Sequence, residues 1–430
     1  MPLKVAIIGG GIGGLTAAIA LRQHPGIQVD VYERASEFQE VGALIGLAPN
    51  GLRTLEKLGV QALLEDDVAW RNPSGIPTKL KHWQTGDVLS QNGYSHVPDR
   101  RHHFARTHRA VFHKELIKKL PSEILHTSKN ATSVQVDTTS ATVLFEDETT
   151  VKADLVIGAD GIRSKVRGSF IPEHKLADWG DAMFRTTFPY SLVEDIEGLD
   201  TDSTRWQGPT SWFFASRLGE TGYGVTFNLN SGGSDSEQPF QDVIWNIPAE
   251  VDDVRDAFKG YHHPVPQIMD RIPAGTLRRY TNAFGPKLDR WTFEDRVALI
   301  GDAAHTHGGA FGAGASLAIE DAFTLYLSLR AVFPEALPIS DVPLEHLHIA
   351  LDLYESIRHP HASKVLQTVL DSRQEQLARA RSLASQGREE SDQQFRARLS
   401  GRKSASWLHE HDVEQAFRDA VASKFAREEV

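Results

Sequence analysis

A chain of 430 residues with a formal net charge of −11 and no cysteine is long enough for roughly two or three domains and a large core. The acidic balance argues against nucleic acid or an anionic membrane as the main partner. The absence of cysteine excludes disulfides, thiolate nucleophiles, Cys-x-x-Cys redox chemistry and cysteine-ligated iron–sulfur clusters.

Val5 to Ile8 form an apolar strand, after which Gly9, Gly11 and Gly14 supply Gly-x-Gly-x-x-Gly, and a helix is predicted from about Ile12 to Arg22. Gly9 allows the tight turn. Gly11 lets backbone N–H groups approach a pyrophosphate at the positive helix end, and Gly14 lets helix and strand pack closely. A second strand, Val29 to Tyr32, ends at Glu33, about 20 residues past the glycines, where a carboxylate accepts hydrogen bonds from a ribose diol. Together these elements predict a Rossmann-like dinucleotide-binding fold, leaving FAD and NAD(P) both open. Arg34 joins Glu33 as a cofactor-side candidate, with a surface salt bridge as its alternative. Val5 to Leu21 mimics a secretory signal, but it carries the glycine fingerprint and is shorter than the ~20 residues a membrane helix needs. No other segment is apolar enough to span a bilayer, and a cytosolic protein is expected.

Downstream, Gly42 to Leu64 combines a glycine-rich loop with an amphipathic helix starting near Pro49, and Asn72 to His103 reads as irregular. A helix is predicted over Arg109 to Leu120, a hairpin over Ser133 to Val136 and Thr142 to Glu146, and a strand over Ala153 to Ala159. Residues 181–280 carry several tryptophans, strand-like runs such as Gly222 to Leu229, and a polar loop at Asn230 to Gln238. A strand over Arg296 to Gly301 then leads to a helix containing Ala318 to Asp321, and the charged tail from Ser340 reads as helical, with an exposed linker at Ser385 to Ser391. The expected organisation is an α/β fold whose nucleotide lobe comes in three pieces, 1–72, 104–180 and 281–340. A sheet-rich substrate lobe is inserted as 73–103 and 181–280, and 341–430 is a helical C-terminal region.

Two more motifs, DLVIGADGIRSKVR at 154–167 and RVALIGDAAHTHGGAFGAGASLAIEDA at 296–322, join the glycine fingerprint at ordered spacing. With Thr107 to Ala110, Tyr354 to Arg358, Trp407-Leu408 and Asp412, they resemble the single-component FAD-dependent aromatic hydroxylases, the para-hydroxybenzoate and salicylate hydroxylase family. The resemblance covers nearly the whole chain and implies the glutathione-reductase type of FAD-binding fold. It assigns Asp302, after Gly301, to the ribityl chain, and Asp160-Gly161 to the pyrophosphate side and to NAD(P)H. It also assigns Gly314 and Ala315 to a helix start facing the flavin pyrimidine, Arg109 to an FAD contact, and Gly46 to the loop passing the isoalloxazine. The implied reaction uses NADH or NADPH as a transient co-substrate and O2, through a flavin C4a-hydroperoxide, to hydroxylate a phenol or aromatic acid, salicylate-like compounds first. The alternatives are a secondary-metabolism phenol or polyketide hydroxylase and a flavin oxidoreductase that inserts no oxygen. A homodimer is possible in this family.

The substrate side departs from bacterial relatives. His305-Thr306-His307 replaces their more common proline-containing version, and resembles fungal salicylate-hydroxylase-like sequences. His305 or His307 is a candidate for removing a phenolic proton, since an imidazole titrates near neutrality; packing beneath the flavin is the alternative. Arg185 resembles an arginine that holds a phenolate or carboxylate in dearomatising fungal relatives, a task suited to a guanidinium fork. The tyrosine that works with it there aligns on Ser216, which leaves Tyr223 as a substitute candidate. Trp212, Phe213 and Phe214 are read as an aromatic wall or as core. His262-His263 has no third ligand at useful spacing and reads as a polar helix end rather than a metal pair.

Overall fold

The computed structural model describes residues 2–428 except 39–42, 92, 95, 231–245, 336–345 and 403. Strand β1 (Leu3–Ile8), helix α1 (Ile12–Leu21) and strand β2 (Ile27–Tyr32) open the fold, followed by β3 (Leu44–Leu47), α2 (Pro49–Lys57), β4 (Ala105–His108), α3 (Arg109–Ile117), β5 (Leu155–Gly158) and α4 (Lys165–Phe170). Then come β6 (Ala177–Pro189), β7 (Thr204–Gln207), β8 (Ser211–Leu218), β9 (Gly222–Asn230), β10 (Arg278–Phe284) and β11 (Val297–Leu299). Helices α5 (Gly314–Val332), α6 (Leu347–Ser385), α7 (Asp392–Ser400) and α8 (Ser406–His409) follow.

The first layer is a six-stranded sheet ordered Thr292–Phe293, β11, β5, β1, β2, Leu125–His126. Its β1, β2, β5 and β11 run parallel. Such strands are covered on both faces, so β1 and β5 are buried apart from Lys4. Helix α1 is apolar nearly all round because it sits between this sheet and α5. Two glycines make that packing possible. Gly9 has φ 109°, and a Cβ on Gly14 would lie 2.0 Å from the Gly9 carbonyl oxygen. The apolar stretch that mimics a signal is thus the centre of the fold. No helix among the described residues is long and apolar enough to cross a membrane.

The second layer is an eight-stranded sheet ordered Ile247–Pro248, β10, β6, β9, β8, β7, Lys79–His82, Val88–Ser90. The segment that read as irregular supplies its last two strands, and its pairing partner Thr204–Gln207 is more than a hundred residues away in sequence. One face is a closed apolar core in which Phe213 and Phe227 stack at 5.4 Å and Phe184 stacks on Phe227 at 5.3 Å, capped by the helix Pro264–Asp270. His262 and His263 precede that helix, where the His263 ring Nε2 bonds the Glu197 carbonyl at 2.8 Å. The opposite face turns toward β3, β4 and the chain around Gly309. The helix from Arg109 ends at Ile117, three residues before the predicted end. Residues 231–238 of the predicted polar loop and the start of the tail at Ser340 lie outside the described residues.

Candidate active site

At the N-terminus of α1, Gly11 has ordinary extended geometry (φ −76°, ψ −173°), and a Cβ built on it meets nothing within 4 Å. The first-turn N–H groups therefore face open space, the arrangement that receives a phosphate. Glu33 is locked at the end of β2, its two oxygens accepting from the Gly10 and Ala35 N–H groups at 2.7 and 2.9 Å. Each oxygen retains a lone pair for a ribose hydroxyl. Arg34 is exposed.

Asp160 lies between β5 and α4. Its Oδ2 accepts from the Lys165 and Val166 N–H groups at 2.6 and 3.1 Å, so it caps α4, while burial pushes its pKa up. Its other oxygen, Oδ1, is buried without a hydrogen-bond partner among the described residues, and the neighbouring Gly161 has φ 76° with nothing within 4 Å of a built Cβ. Asp302 is exposed just past β11, and its carboxylate makes no hydrogen bond to the described residues, which leaves it for a polyol chain. Helix α5 starts at Gly314 and Ala315 without a side-chain cap, so its N–H dipoles face outward. Gly46 on β3 is tightly opposed: a Cβ there would sit 2.8 Å from the Phe104 ring and 3.3 Å from the Gly312 carbonyl. These features fit FAD: an open phosphate cradle, two carboxylates for sugar hydroxyls, and an uncapped helix end.

His305 is a brace. Its Nε2 bonds Asp321 at 2.6 Å, and the same Asp321 oxygen accepts the Gly301 N–H at 2.9 Å. Arg358 grips the other Asp321 oxygen at 2.8 Å and Glu320 at 3.0 Å, all three side chains fully buried. Burial alone would raise the Asp321 pKa, but His305 and Arg358 hold it at about 2. The Asp321 bond fixes the ring's orientation and leaves Nδ1 buried without a hydrogen-bond partner among the described residues. His307 is different: it is 3% exposed, and neither ring nitrogen has a hydrogen-bond partner. Burial, with help from His305, lowers its pKa to about 4, so the ring is neutral at pH 7 and offers one donor and one acceptor.

Arg185 lies on β6 opposite Thr226. Its guanidinium sits 5.4 Å from the Tyr280 ring centre and close to Gly309, whose Cβ would be 3.5 Å from Nη2. It has no carboxylate partner among the described residues. Burial lowers its pKa, Tyr280 raises it, and nearby Arg109 lowers it further. Arg109 thus stands on the substrate side as well as at the start of α3.

Tyr223 is corrected by register. It pairs with Phe188, is 2% exposed, and points into the apolar core on the far side of the sheet from Arg185. The three consecutive aromatics divide in the same way: Phe213 enters the core, while Trp212 and Phe214 share the face of Arg185. Ser216, where the relatives' tyrosine aligns, is buried against Ser203 at 2.7 Å. Arg106, Arg205, Tyr280 and His409 also reach this face or its rim and were not singled out from the sequence. Arg106 lies between the Phe104 and Phe214 rings, and His409 Nε2 meets the Phe311 carbonyl at 3.3 Å. Strand alternation in Thr204–Gln207 was the available signal for Arg205.

The open glycine turn, the carboxylates just past β2 and β11 and the uncapped helix end fit an FAD-binding flavoprotein. The FAD binding domain family matches residues 2–198 and 286–369. A salicylate hydroxylase of Pseudomonas putida is 32% identical over 392 residues, covering 86% of this chain and 84% of that protein. The 6-methylsalicylate 1-monooxygenase atA of Aspergillus terreus is 29% identical over 443 residues, covering 97% of this chain and 92% of that protein. A solved salicylate hydroxylase in a substrate complex shares the fold, with a TM-score of 0.77 at 22% identity over 97% of this chain and 98% of that one. The chain belongs to the FAD binding domain family, among the FAD-dependent aromatic hydroxylases.

Proposed function

We propose that this protein is a cytosolic FAD-dependent monooxygenase that uses NADH or NADPH and O2 to hydroxylate an anionic phenol or aromatic acid, salicylate-like compounds first. Arg185 carries the reading: a part-buried guanidinium with no carboxylate partner among the described residues, placed next to the chain that leads into α5. Such a group favours an anionic ligand, and a fork of N–H donors suits a carboxylate or phenolate. The names of the relatives, a salicylate hydroxylase and a 6-methylsalicylate monooxygenase, support the same class.

When bound, FAD supplies the redox chemistry and the activated oxygen; the protein supplies binding, orientation and exclusion of water. Glu33 and Asp302 hold sugar and ribityl hydroxyls, and the N–H groups of Gly314 and Ala315 stabilise negative charge on the ring system. Arg185 orients the substrate through its anion, while Trp212 and Phe214 offer flat apolar surface. Neutral His307, with both ring nitrogens unpartnered among the described residues, offers a hydrogen bond to the phenolic group. No second glycine fingerprint with its own strand and acid is present, so the nicotinamide binds transiently.

The test is NADH and NADPH oxidation by the FAD-loaded protein across phenols and aromatic acids, with hydrogen peroxide assayed in parallel and labelled O2 traced into product. Coupled consumption with label in the product supports the reading. Substrate turnover without label would replace it with an oxidoreductase that inserts no oxygen.

A further inference from the structure

The register of the eight-stranded sheet sets Arg185, Thr226, Phe214 and Arg205 in one row, one residue from each of β6, β9, β8 and β7. Residues in one such row share a face, and three strand spacings of about 4.8 Å place the two arginine Cα atoms about 14 Å apart. The neighbours Phe184, Phe213 and Trp206 take the other face and close the apolar core. The row therefore runs along the substrate side, with a cation at each end and a threonine and a phenylalanine between.

Arg205 stacks over the Trp212 ring at 4.3 Å, and its Nε is buried without a hydrogen-bond partner. No ion pair is formed by it among the described residues. Other arginines near this end are compensated: Arg398 bonds Glu390 at 2.7 Å, and Arg396 bonds Asp392 at 2.6 Å and Asp87 at 2.8 Å. Arg402, just past α7, adds a second cation on the Arg205 side. Burial first, then Arg402, lower the Arg205 pKa to about 9, as expected for a cation awaiting an anion. Midway along the row, Arg106 covers Phe214 and leaves its Nη1 buried and unbonded.

The geometry points to Arg205 as a second anion anchor, so that the substrate is an aromatic acid or phenol bearing another acidic group on a side chain or second ring. The first anion meets Arg185, the connecting part crosses Thr226 and Phe214, and the distal carboxylate or phenolate lies against Arg205 and Trp212. This inference rests on the aromatic-acid reading above and deepens it.

The experiment uses the FAD-loaded protein and three probes: salicylate, 5-(ω-carboxyalkyl)salicylates with two to six methylenes, and the distal methyl esters of the latter. Calorimetric Kd and NAD(P)H consumption are measured separately, for the parent, Arg205→Gln and Arg205→Lys. At one chain length the distal acid should bind at least tenfold tighter than its ester. That advantage should fall below twofold in Arg205→Gln and survive in part in Arg205→Lys, with salicylate Kd unchanged within twofold throughout. If Arg205→Gln fails to fold or load FAD, the acid–ester comparison in the parent and in Arg205→Lys decides. Equal binding of acid and ester at every length, or an equal loss for both in Arg205→Gln, overturns the inference. Salicylate turnover with no acid–ester difference sinks the second anchor and leaves the hydroxylase reading. Arg205-dependent binding without any NAD(P)H consumption does the reverse.

Discussion

Two glycines three residues apart should fail in opposite ways when each is replaced by alanine. At Gly11 the backbone is extended and a Cβ meets nothing within 4 Å. Alanine is a poorer N-cap than glycine, at a cost of up to about 1 kcal/mol, and restricting the unfolded chain returns roughly 0.4–1 kcal/mol. The cofactor-free fold of Gly11→Ala should therefore keep its stability within about 1 kcal/mol. The methyl fills the phosphate cradle instead, and losing one charge-assisted bond to a pyrophosphate oxygen costs about 1.5–3 kcal/mol, roughly 10- to 150-fold in FAD Kd. At Gly14 the Cβ would stand 2.0 Å from the Gly9 carbonyl oxygen, a backbone clash that no side-chain motion relieves. Overpacking of this kind costs about 3 kcal/mol at the upper end, and alanine's better helix propensity offsets about 1. Gly14→Ala should lose about 2 kcal/mol in the cofactor-free state. Urea unfolding of the deflavinated proteins and fluorescence titration with FAD separate the two quantities. A Gly11→Ala protein with parental FAD affinity, or with a stability loss equal to that of Gly14→Ala, would refute the division of labour between these positions.

Asp302→Ala should lower the FAD content of the purified protein while leaving cofactor-free unfolding unchanged, because the carboxylate is exposed and makes no hydrogen bond to the described residues; full flavin occupancy would remove Asp302 from the cofactor site. Arg185→Gln should raise KM for salicylate-like acids and leave FAD bound, and identical kinetics would take Arg185 out of the pocket. Arg358→Met leaves Glu320 and Asp321 buried without their cation and should cost about 3–5 kcal/mol by urea unfolding; a loss below 1 would show the cluster to be relaxed by water. His307 and His409 have pKa values lowered to about 4, and His361 to about 3, chiefly by burial. The unfolded chain takes up these protons near pH 6.5 and the folded one does not, so stability is complete above 6.5 and falls toward pH 4 by up to about 1.4 kcal/mol per pH unit per histidine. Urea midpoints at pH 7, 6 and 5 measure it, with His409→Gln giving a shallower fall. A flat profile would mean these rings are hydrated.

The cofactor half of the site was legible because its signals are local in sequence. Gly9, Gly11, Gly14 and Glu33 lie on one strand–helix–strand unit, and the spacing alone predicts the turn at Gly9, the tight packing at Gly14 and the carboxylate at the end of β2. The substrate half depends on strand register, which the sequence does not print. One residue of offset decides that Phe213 enters the core while Phe214 takes the face of Arg185, and the same rule sends Tyr223 away from Arg185. The bond that orients His305 was hidden because its partner Asp321 lies sixteen residues on, across a turn, and only the fold brings them to 2.6 Å. The tail segment Tyr354 to Arg358 was seen as a pattern without a task. Tyr354 bonds the Leu299 carbonyl at 2.7 Å, and Arg358 pairs with Asp321, which anchors the loop before α5, and with Glu320, which meets His411 of the tail at 2.9 Å.

How the chain treats its buried arginines separates architecture from function. Arg358 and Arg71 are fully buried, and each meets acid: Glu320 and Asp321 for the first, Asp66 with three backbone carbonyls for the second. Arg167 is satisfied by the carbonyls of Ile162, Asp302 and Ala303. Removing an ion from water without such partners is costly, and a fold that compensates its structural arginines this consistently has the means to do so at other positions. Among the described residues the part-buried Arg185 and Arg205 receive an aromatic ring and no acid, and both lie on the one sheet face that the apolar core does not use. A stacked ring recovers only about 0.5–2 kcal/mol of what desolvation takes. The deficit is relieved when an anion arrives, so the uncompensated positions lower the stability of the free protein and, by the same amount, favour the ligand that completes them.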